Sequence, residues 1–586
     1  MKIILYFSCI IYNKYLLKMR YKKVGIEDAF SYKPAEKTKK IILFEYIFYS
    51  LISFFLAIYY TLNLFSICHN LAKKNNFKIS GLVKGYSFFG GYRDFSDFQW
   101  RYYRQNLSVL MIFATIFVFT NKLIKIFGSL NLLKLSYLIF GLGYGFFLHR
   151  IKMIYLIIIL YISFELTRKY NLFGKKIFIS LTWIFCIIIK ITSEIYEGYS
   201  INIFNFLNLS DFIKNPLLGW NSTFGLVMLK IISYNMEFVN VAEKEFENNK
   251  LISMDKVKEH CKECNKGKFC LRALKFVNIK ESDFSFLNLL IYIFYPPFYF
   301  SGPTIMYHSF IFQLNNYKEN NHNKFFFTKK IFYLFRCIII FLIFEIFNHF
   351  LYVNAIMTNK NNIWLFEEFR KNNSYFYLSF LAFNNLVFIY LKFSLIWKVA
   401  RYWGWLDGIY SEENMNRCIY NNYTFEGFWR QWHRSYNIWL IRYMYIPLGG
   451  RQKKLLNTFI IFSFVALWHD LRLNLLLWAW GIYICLIPEI IIKSFFARED
   501  KQYLNDKMWF RYLRAWICSI VIMLMITANL IGFGIGNTEL VDSLLSIWKE
   551  TTFMRFIQMS IFYAPFTFCM FFIRDLEKKN GIENNF

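Results

Sequence analysis

The chain of 586 residues is 56% hydrophobic and 22% aromatic, with a mean hydropathy of +0.31, a balance that excludes an ordinary soluble enzyme. Its formal net charge of +31 is spread through loops as lysine beside many asparagines, with Phe, Ile and Tyr equally abundant, which fits compositional bias and argues against a nucleic-acid footprint. Part of that charge suits a lipid bilayer with anionic headgroups, where juxtamembrane Lys and Arg gain about 1 kcal/mol each.

In chain order, Ile3–Leu17 is an apolar stretch interrupted by Asn13 and Lys14 and lacking a small-residue cleavage site. It reads as an interfacial or uncleaved anchor within an N-terminal segment, residues 1–40. Runs suited to a hydrocarbon core about 30 Å thick, which takes roughly 20 helical residues, follow it. They are Ile41–Cys68, Leu107–Phe119, Leu130–Leu148, Met153–Leu166, Ile177–Ile195, Phe284–Phe312, Ile331–Tyr352, Phe376–Ala400, Leu455–Trp468, Leu473–Phe496, Trp516–Phe533 and Met554–Ile573. About 10 to 12 membrane-embedded helices are expected, some shorter than a full span. Only helices or a closed barrel satisfy backbone polar groups in lipid, and continuous apolar runs exclude the barrel. The fold class is therefore all-α and polytopic, with re-entrant or interfacial helices. One membrane domain covers residues 41–575, with a polar insertion near 242–280 and a polar tail at 576–586. Basic residues flank both ends of the first long run, Lys33–Lys40 and Lys73–Arg104, so the charge rule leaves the orientation open.

Eleven cysteines, mostly in apolar segments, form no disulfide framework. HCKECNKGKFC places His260, Cys261, Cys264 and Cys270 in the polar insertion. A CxxC with two further soft ligands suits Zn²⁺, while the adjacency of His260 and Cys261 and the missing second CxxC suit an ordinary loop. Gly427, Gly449 and Gly450 lie outside any phosphate-loop context, which removes the first support for ATP-driven transport.

The densest polar stretch is EGFWRQWHRSYNIWLIRYMYIPLGGR, Glu426–Arg451. On one continuous helix, Trp429, His433, Tyr436 and Leu440 share a face, with Arg430, Arg434 and Asn437 beside it. Interleaved Trp and Arg suit a helix at or re-entering the membrane interface, and Pro447 with Gly449 and Gly450 would stop it. Next comes FVALWHD, where Trp468, His469 and Asp470 close an apolar run. An ionisable group at membrane depth is a functional hypothesis by default, and a neutral imidazole is a competent proton acceptor near pH 7. A helix-end histidine bonded to a carbonyl is the bland alternative. Pro296, Pro297 and Pro303 would break a membrane helix, for packing or to line a tunnel. Asn235 and Glu237 read as helix-end residues.

FWRQWHRSYNIWLIRYMYIPLGG followed by FVALWHD resembles the signature of the membrane-bound O-acyltransferases: a WRxWH-type segment, a YIPLGG turn and a downstream WH. It is more closely similar to the glycerol-uptake-protein branch, beside the hedgehog acyltransferases. LKIISYNMEF, IFYPPFYFSGP and GGYRDFSDFQWRYYRQN fit that branch too, so the resemblance covers Gly90–Phe496. It implies helices around a central tunnel in a multi-pass enzyme of the endoplasmic reticulum. It also implies transfer of a fatty acyl group from acyl-CoA, as co-substrate, to a hydroxyl, with no cofactor required. The implied acceptor is a lysolipid, glycosylphosphatidylinositol-type lipid or glycerolipid. His469 matches the family's catalytic histidine, and His433 matches its second polar position, which is Asp in the hedgehog-directed members. Asp470 stands where many relatives keep Gly. Cys418 matches a position that in hedgehog-directed members is a cysteine on haem iron, so a haem is a further expectation. Two other functions stay open: a glycerol-uptake protein or its regulator, and a protein acyltransferase of hedgehog type.

The chemistry suits these residues independently. Acyl transfer from a thioester needs a base for the acceptor hydroxyl, donors for the oxyanion, and close alignment of both substrates. His469 is the expected base, with His433 or Asn437 positioning the acceptor or stabilising charge. Arg430, Arg434 and Arg451 are expected on CoA phosphates, and Trp429, Trp468 and Asp470 complete the substrate-binding set. No GxSxG elbow is evident, which favours direct transfer.

Overall fold

Ten stretches among the described residues are long and apolar enough to cross a membrane. The computed structural model describes residues 39–199, 216–243, 273–275, 277–318, 324–357, 359–496, 503–504, 507–534 and 552–579. The expected N-terminal anchor, the cysteine-rich cluster His260–Cys270 and the last residues of the tail lie outside them.

The chain starts with α1 (Lys39–Lys74), a hairpin of β1 (Leu82–Lys84) and β2 (Tyr92–Asp94), and α2 (Phe98–Gln105). Then come α3 (Leu107–Phe127), α4 (Leu130–His149), α5 (Met153–Arg168), α6 (Tyr170–Ile195) and α7 (Trp220–Ala242). The middle holds α8 (Phe286–Phe294), α9 (Tyr307–Asn315), α10 (Lys324–Phe350), α11 (Val353–Met357), α12 (Ile363–Asn372) and α13 (Tyr375–Asp407). The last part holds α14 (Phe425–Gln431), α15 (Arg434–Leu440), α16 (Lys454–His469), α17 (Leu473–Phe496), α18 (Met508–Asn529) and α19 (Phe553–Lys579). The antiparallel hairpin, with Val83 opposite Arg93, is the departure from an all-helical chain among the described residues.

Burial separates the central helices from the peripheral ones. The most apolar stretch of α7 is 78% buried and that of α13 is 72% buried, against 22% for α1 and 17% for α3 and α6. Leu43, Phe44, Ile47 and Phe55 of α1 accordingly face outward, as lipid-facing side chains do. The main core gathers Phe224, Leu229, Ile232, Tyr292, Phe310 and Trp439 around α7, which packs on α5, α6, α8 and α9. A second core joins α1, α11, α12, α13, α18 and α19.

Three sequence expectations are corrected. Phe284–Phe312 is not one run: α8 and α9 have nine residues each, and the connection between them, residues 295–306, opens with a tight turn over Pro296–Phe298 and continues as irregular chain. Proline lacks the N–H that a continuing helix needs, and the freed segment is held instead by Tyr295, whose hydroxyl donates to Asp407 at 2.6 Å beside Tyr137 and Lys125. Asn235 and Glu237 are not at a helix end but fully buried within α7. Asn235 is bonded to Ser163, Thr167 and Thr182. Glu237 accepts a two-pronged bond from Arg442, at 2.7 and 3.1 Å, and one from Tyr443, with His308 Nδ1 at 3.1 Å. The third correction concerns the helix through His433.

Candidate active site

The WRQWH segment is two short helices set at a break. The first, α14, is capped by Thr424, whose hydroxyl accepts from Gly427 N–H at 3.0 Å. The Glu489 carboxylate of α17 takes the N–H groups of Phe425 and Glu426, so an anion meets the orphan donors and positive end of the helix. Lys493 bridges Glu489 and Glu426, at 2.6 and 3.1 Å, and Arg430 pairs with Glu426 at 2.9 Å. Burial pushes the Glu426 carboxyl up, but Lys493, Arg430 and Lys454 bring it down to about 2.

At Trp432 the backbone becomes extended, and Trp432 pairs with Met415 in an antiparallel bridge. His433 then takes φ 47° and ψ 49°, the left-handed region, before α15 resumes. One continuous helical face through Trp429, His433, Tyr436 and Leu440 is therefore overturned. A side chain in that region costs about 1 kcal/mol, so the surroundings must hold it. After α15 the chain tightens into a π turn over Ile441–Tyr445 and stops at Gly449 and Gly450, with φ of +98° and +54°, as the PLGG stretch predicts.

The break turns the imidazole of His433 into the protein. Its ring stacks on Trp397 at 4.5 Å and lies 5.2 Å from Tyr436 and 6.1 Å from Trp468. Its Nε2 is buried with no hydrogen-bond partner. Burial first, and the neighbouring His469 second, push its pKa down to about 3.

Trp468 links the two histidines. Its Nε1–H donates to the Gly225 carbonyl of α7 at 2.8 Å. The helices approach so closely there that a Cβ on Gly225 would lie 3.2 Å from that nitrogen. His469 is the last residue of α16, 4.6 Å from the Trp468 ring and 6.1 Å from Trp478. It keeps accessible surface, yet burial pushes its pKa down to about 4, with Lys190 adding to the effect. The ring is therefore reachable at the end of α16 while the protein around it withholds water from the charged form. Both imidazoles are thus neutral at pH 7, the form that accepts a proton.

The other candidates fall into place around this pair. Asp470 ends the helix: its backbone is extended, its carboxylate accepts from Leu471 N–H at 2.8 Å and pairs with Arg472 at 2.7 Å. Arg434 lies 3.8 Å from Glu412, the Asn437 N–H donates to the His433 carbonyl at 3.1 Å and closes the first turn of α15, and Arg451 is exposed on the turn after the PLGG stretch. Trp429 packs on Trp478 and Phe462. Cys418 is half-buried with the Tyr390 hydroxyl in bonding reach. Trp397, Asn414 and Gly225 were not singled out from sequence, because their partners lie in remote segments.

The fold defines a multi-pass, mostly helical membrane protein in which His433 and His469 lie on either side of the Trp468 ring. The chain belongs to the membrane-bound O-acyltransferase family, whose model matches residues 144–533. It is 32% identical over 504 residues to the membrane-bound O-acyltransferase GUP1 of Saccharomyces cerevisiae, covering 84% of each chain. It is 30% identical over 521 residues to the membrane-bound O-acyltransferase gup1 of Schizosaccharomyces pombe, covering 87% of this chain and 85% of that one. A shorter likeness, 29% over 197 residues, joins it to the protein-cysteine N-palmitoyltransferase HHAT of Mus musculus, covering 33% of this chain and 37% of that one.

Proposed function

We propose that this acyltransferase moves a fatty acyl group from acyl-CoA to a hydroxyl of a lipid acceptor, with His469 as general base. The observation that carries the reading is the accessible yet desolvated ring of His469 beside a second neutral imidazole. The His469 imidazole takes the acceptor hydroxyl proton as the oxygen attacks the thioester carbonyl. His433, with its proton on the unpartnered Nε2, donates to the oxygen that gains charge. The C–S bond then breaks, the imidazolium returns the proton to the departing thiolate, and ester and CoA thiol leave. Arg430 and Arg434 are near enough to this centre in the chain to meet CoA phosphates through charge-assisted bonds. Phe- and Ile-rich helices take the acyl chain, each buried CH₂ contributing about 0.8 kcal/mol. A lysolipid of glycerolipid or glycosylphosphatidylinositol type is the proposed acceptor, and the endoplasmic reticulum the proposed membrane.

The test uses purified protein in vesicles with labelled acyl-CoA and a panel of lysolipids, comparing wild type with His469→Ala. Label should enter one lysolipid class with wild type only. If neither protein esterifies a lipid while glycerol flux depends on wild type, the glycerol-uptake reading replaces this one. If label enters a peptide amine instead, the hedgehog-type reading does.

A further inference from the structure

We infer that Asn414 is a positioning residue that holds His433 in its working conformation, an inference that rests on the acyl-transfer reading of that histidine. His433 opens α15 in a left-handed conformation without a side-chain cap. The first N–H groups of a helix have no acceptor within it and ordinarily find one in the residue that precedes them. Here both are satisfied from a different part of the chain. The Asn414 carbonyl accepts from Arg434 N–H at 3.1 Å, and Asn414 Oδ1 accepts from Ser435 N–H at 3.1 Å.

The same strand of chain also fixes the other side of the break. Met415 pairs with Trp432, so Asn414 and Met415 together pin the residues before and after His433. Ser435 passes the restraint on, its hydroxyl accepting from Thr304 N–H at 2.8 Å. Asn414 is fully buried, and its Nδ2 has no partner. The side chain is therefore kept inside for the acceptor it presents, since a buried amide N–H without a partner is itself unfavourable. Relieved of capping, the imidazole can lie on Trp397 with Nε2 left for substrate. Without Asn414 Oδ1, the Ser435 N–H is orphaned and the turn loses the bond that opposes its strain.

The experiment is a double-mutant cycle with the labelled acyl-CoA assay in vesicles and melting temperature as the control for folding. Asn414→Ala should lower kcat roughly ten- to a hundredfold, with little change in KM for acyl-CoA. Asn414→Asp keeps an acceptor oxygen at that place and should recover most of the loss. In a His433→Ala background, Asn414→Ala should cause no further fall in kcat. Wild-type kcat in Asn414→Ala, or the same fold-loss with and without His433, overturns the inference. If Asn414→Ala does not fold, Asn414→Ser, whose shorter side chain draws the acceptor back from the Ser435 N–H, carries the same cycle with the same two outcomes. A wild-type protein that transfers no acyl group overturns the functional reading and this inference together, whereas active wild type with additive losses overturns this inference alone.

Discussion

The indole of Trp397 lies flat on the imidazole of His433, with centroids 4.5 Å apart and planes 12° apart. Because His433 Nε2 has no protein partner, ring stacking rather than hydrogen bonding sets where that nitrogen points. Trp397→Phe keeps a flat face, whereas Trp397→Leu removes it. The Leu variant should lose about tenfold in kcat relative to Phe, a misalignment effect. Steady-state kinetics on both variants check this, and equal rates would show that the stack is dispensable.

His469→Ala should reduce kcat by about 10²- to 10⁴-fold, the range for removal of a general base. His469 ends α16 and retains accessible surface, so its removal should leave the melting temperature within a few degrees of wild type. A large drop in melting temperature with proportionate loss of activity would reassign the residue to packing.

Acid should destabilise the fold through the two histidines. Free imidazole titrates near about 6.5, but in the fold His433 lies at about 3 and His469 at about 4. Between these values the unfolded chain binds more protons than the folded one, so stability falls as pH drops below about 6.5. Melting temperature measured from pH 7.5 down to 5 should decline, and His433→Phe should decline less. The same depression keeps the base unprotonated at pH 6, so kcat should not fall along a limb centred near 6.5.

Glu237 carries a buried network that ties α7 to α9 and to the π turn after α15, with its side chain 1% exposed. Removing one partner of such a network leaves the others buried and unmatched, at about 3–5 kcal/mol. Glu237→Gln should therefore lower thermal stability substantially, measured by unfolding in detergent. An unchanged melting temperature would show that Arg442 finds another acceptor.

Gly225 and Gly481 offer a matched pair. A Cβ at Gly225 would meet Trp468 Nε1 at 3.2 Å, while one at Gly481 meets nothing within 4 Å. Gly225→Ala should displace the indole between the histidines, costing about 1–3 kcal/mol and most of the activity. Gly481→Ala, inside α17, should be neutral or stabilising by about 0.5–1 kcal/mol. Comparable activities in the two variants would argue against a fitted contact at Trp468.

Much of this arrangement is legible in sequence, for a physical reason. Long apolar stretches report their own burial, so α1, α4, α5, α10, α13 and α17 are found close to where hydropathy puts them. The Gly449–Gly450 stop and the helix end at Asp470 are local as well. His433 is different: its left-handed turn depends on acceptors in Asn414, and periodicity, which assumes a regular helix, places the ring on the wrong face. Glu237 misleads similarly, because a carboxylate among apolar neighbours looks like a terminus until Arg442 and His308 are brought beside it. Trp397 has no local signal at all, lying in a helix whose apolar sequence explains it by lipid and core contacts alone.

The brevity of α14 and α15, seven residues apiece, has a consequence for biogenesis. Segments of that length do not sustain helical structure unaided; they take shape only once Glu489 of α17 and the Asn414 loop are there to receive them. The translocon reads each long greasy segment as it emerges, whether or not these two short helices have formed. Lesions at these two anchors should therefore yield correctly integrated, normally abundant molecules whose catalysis is impaired.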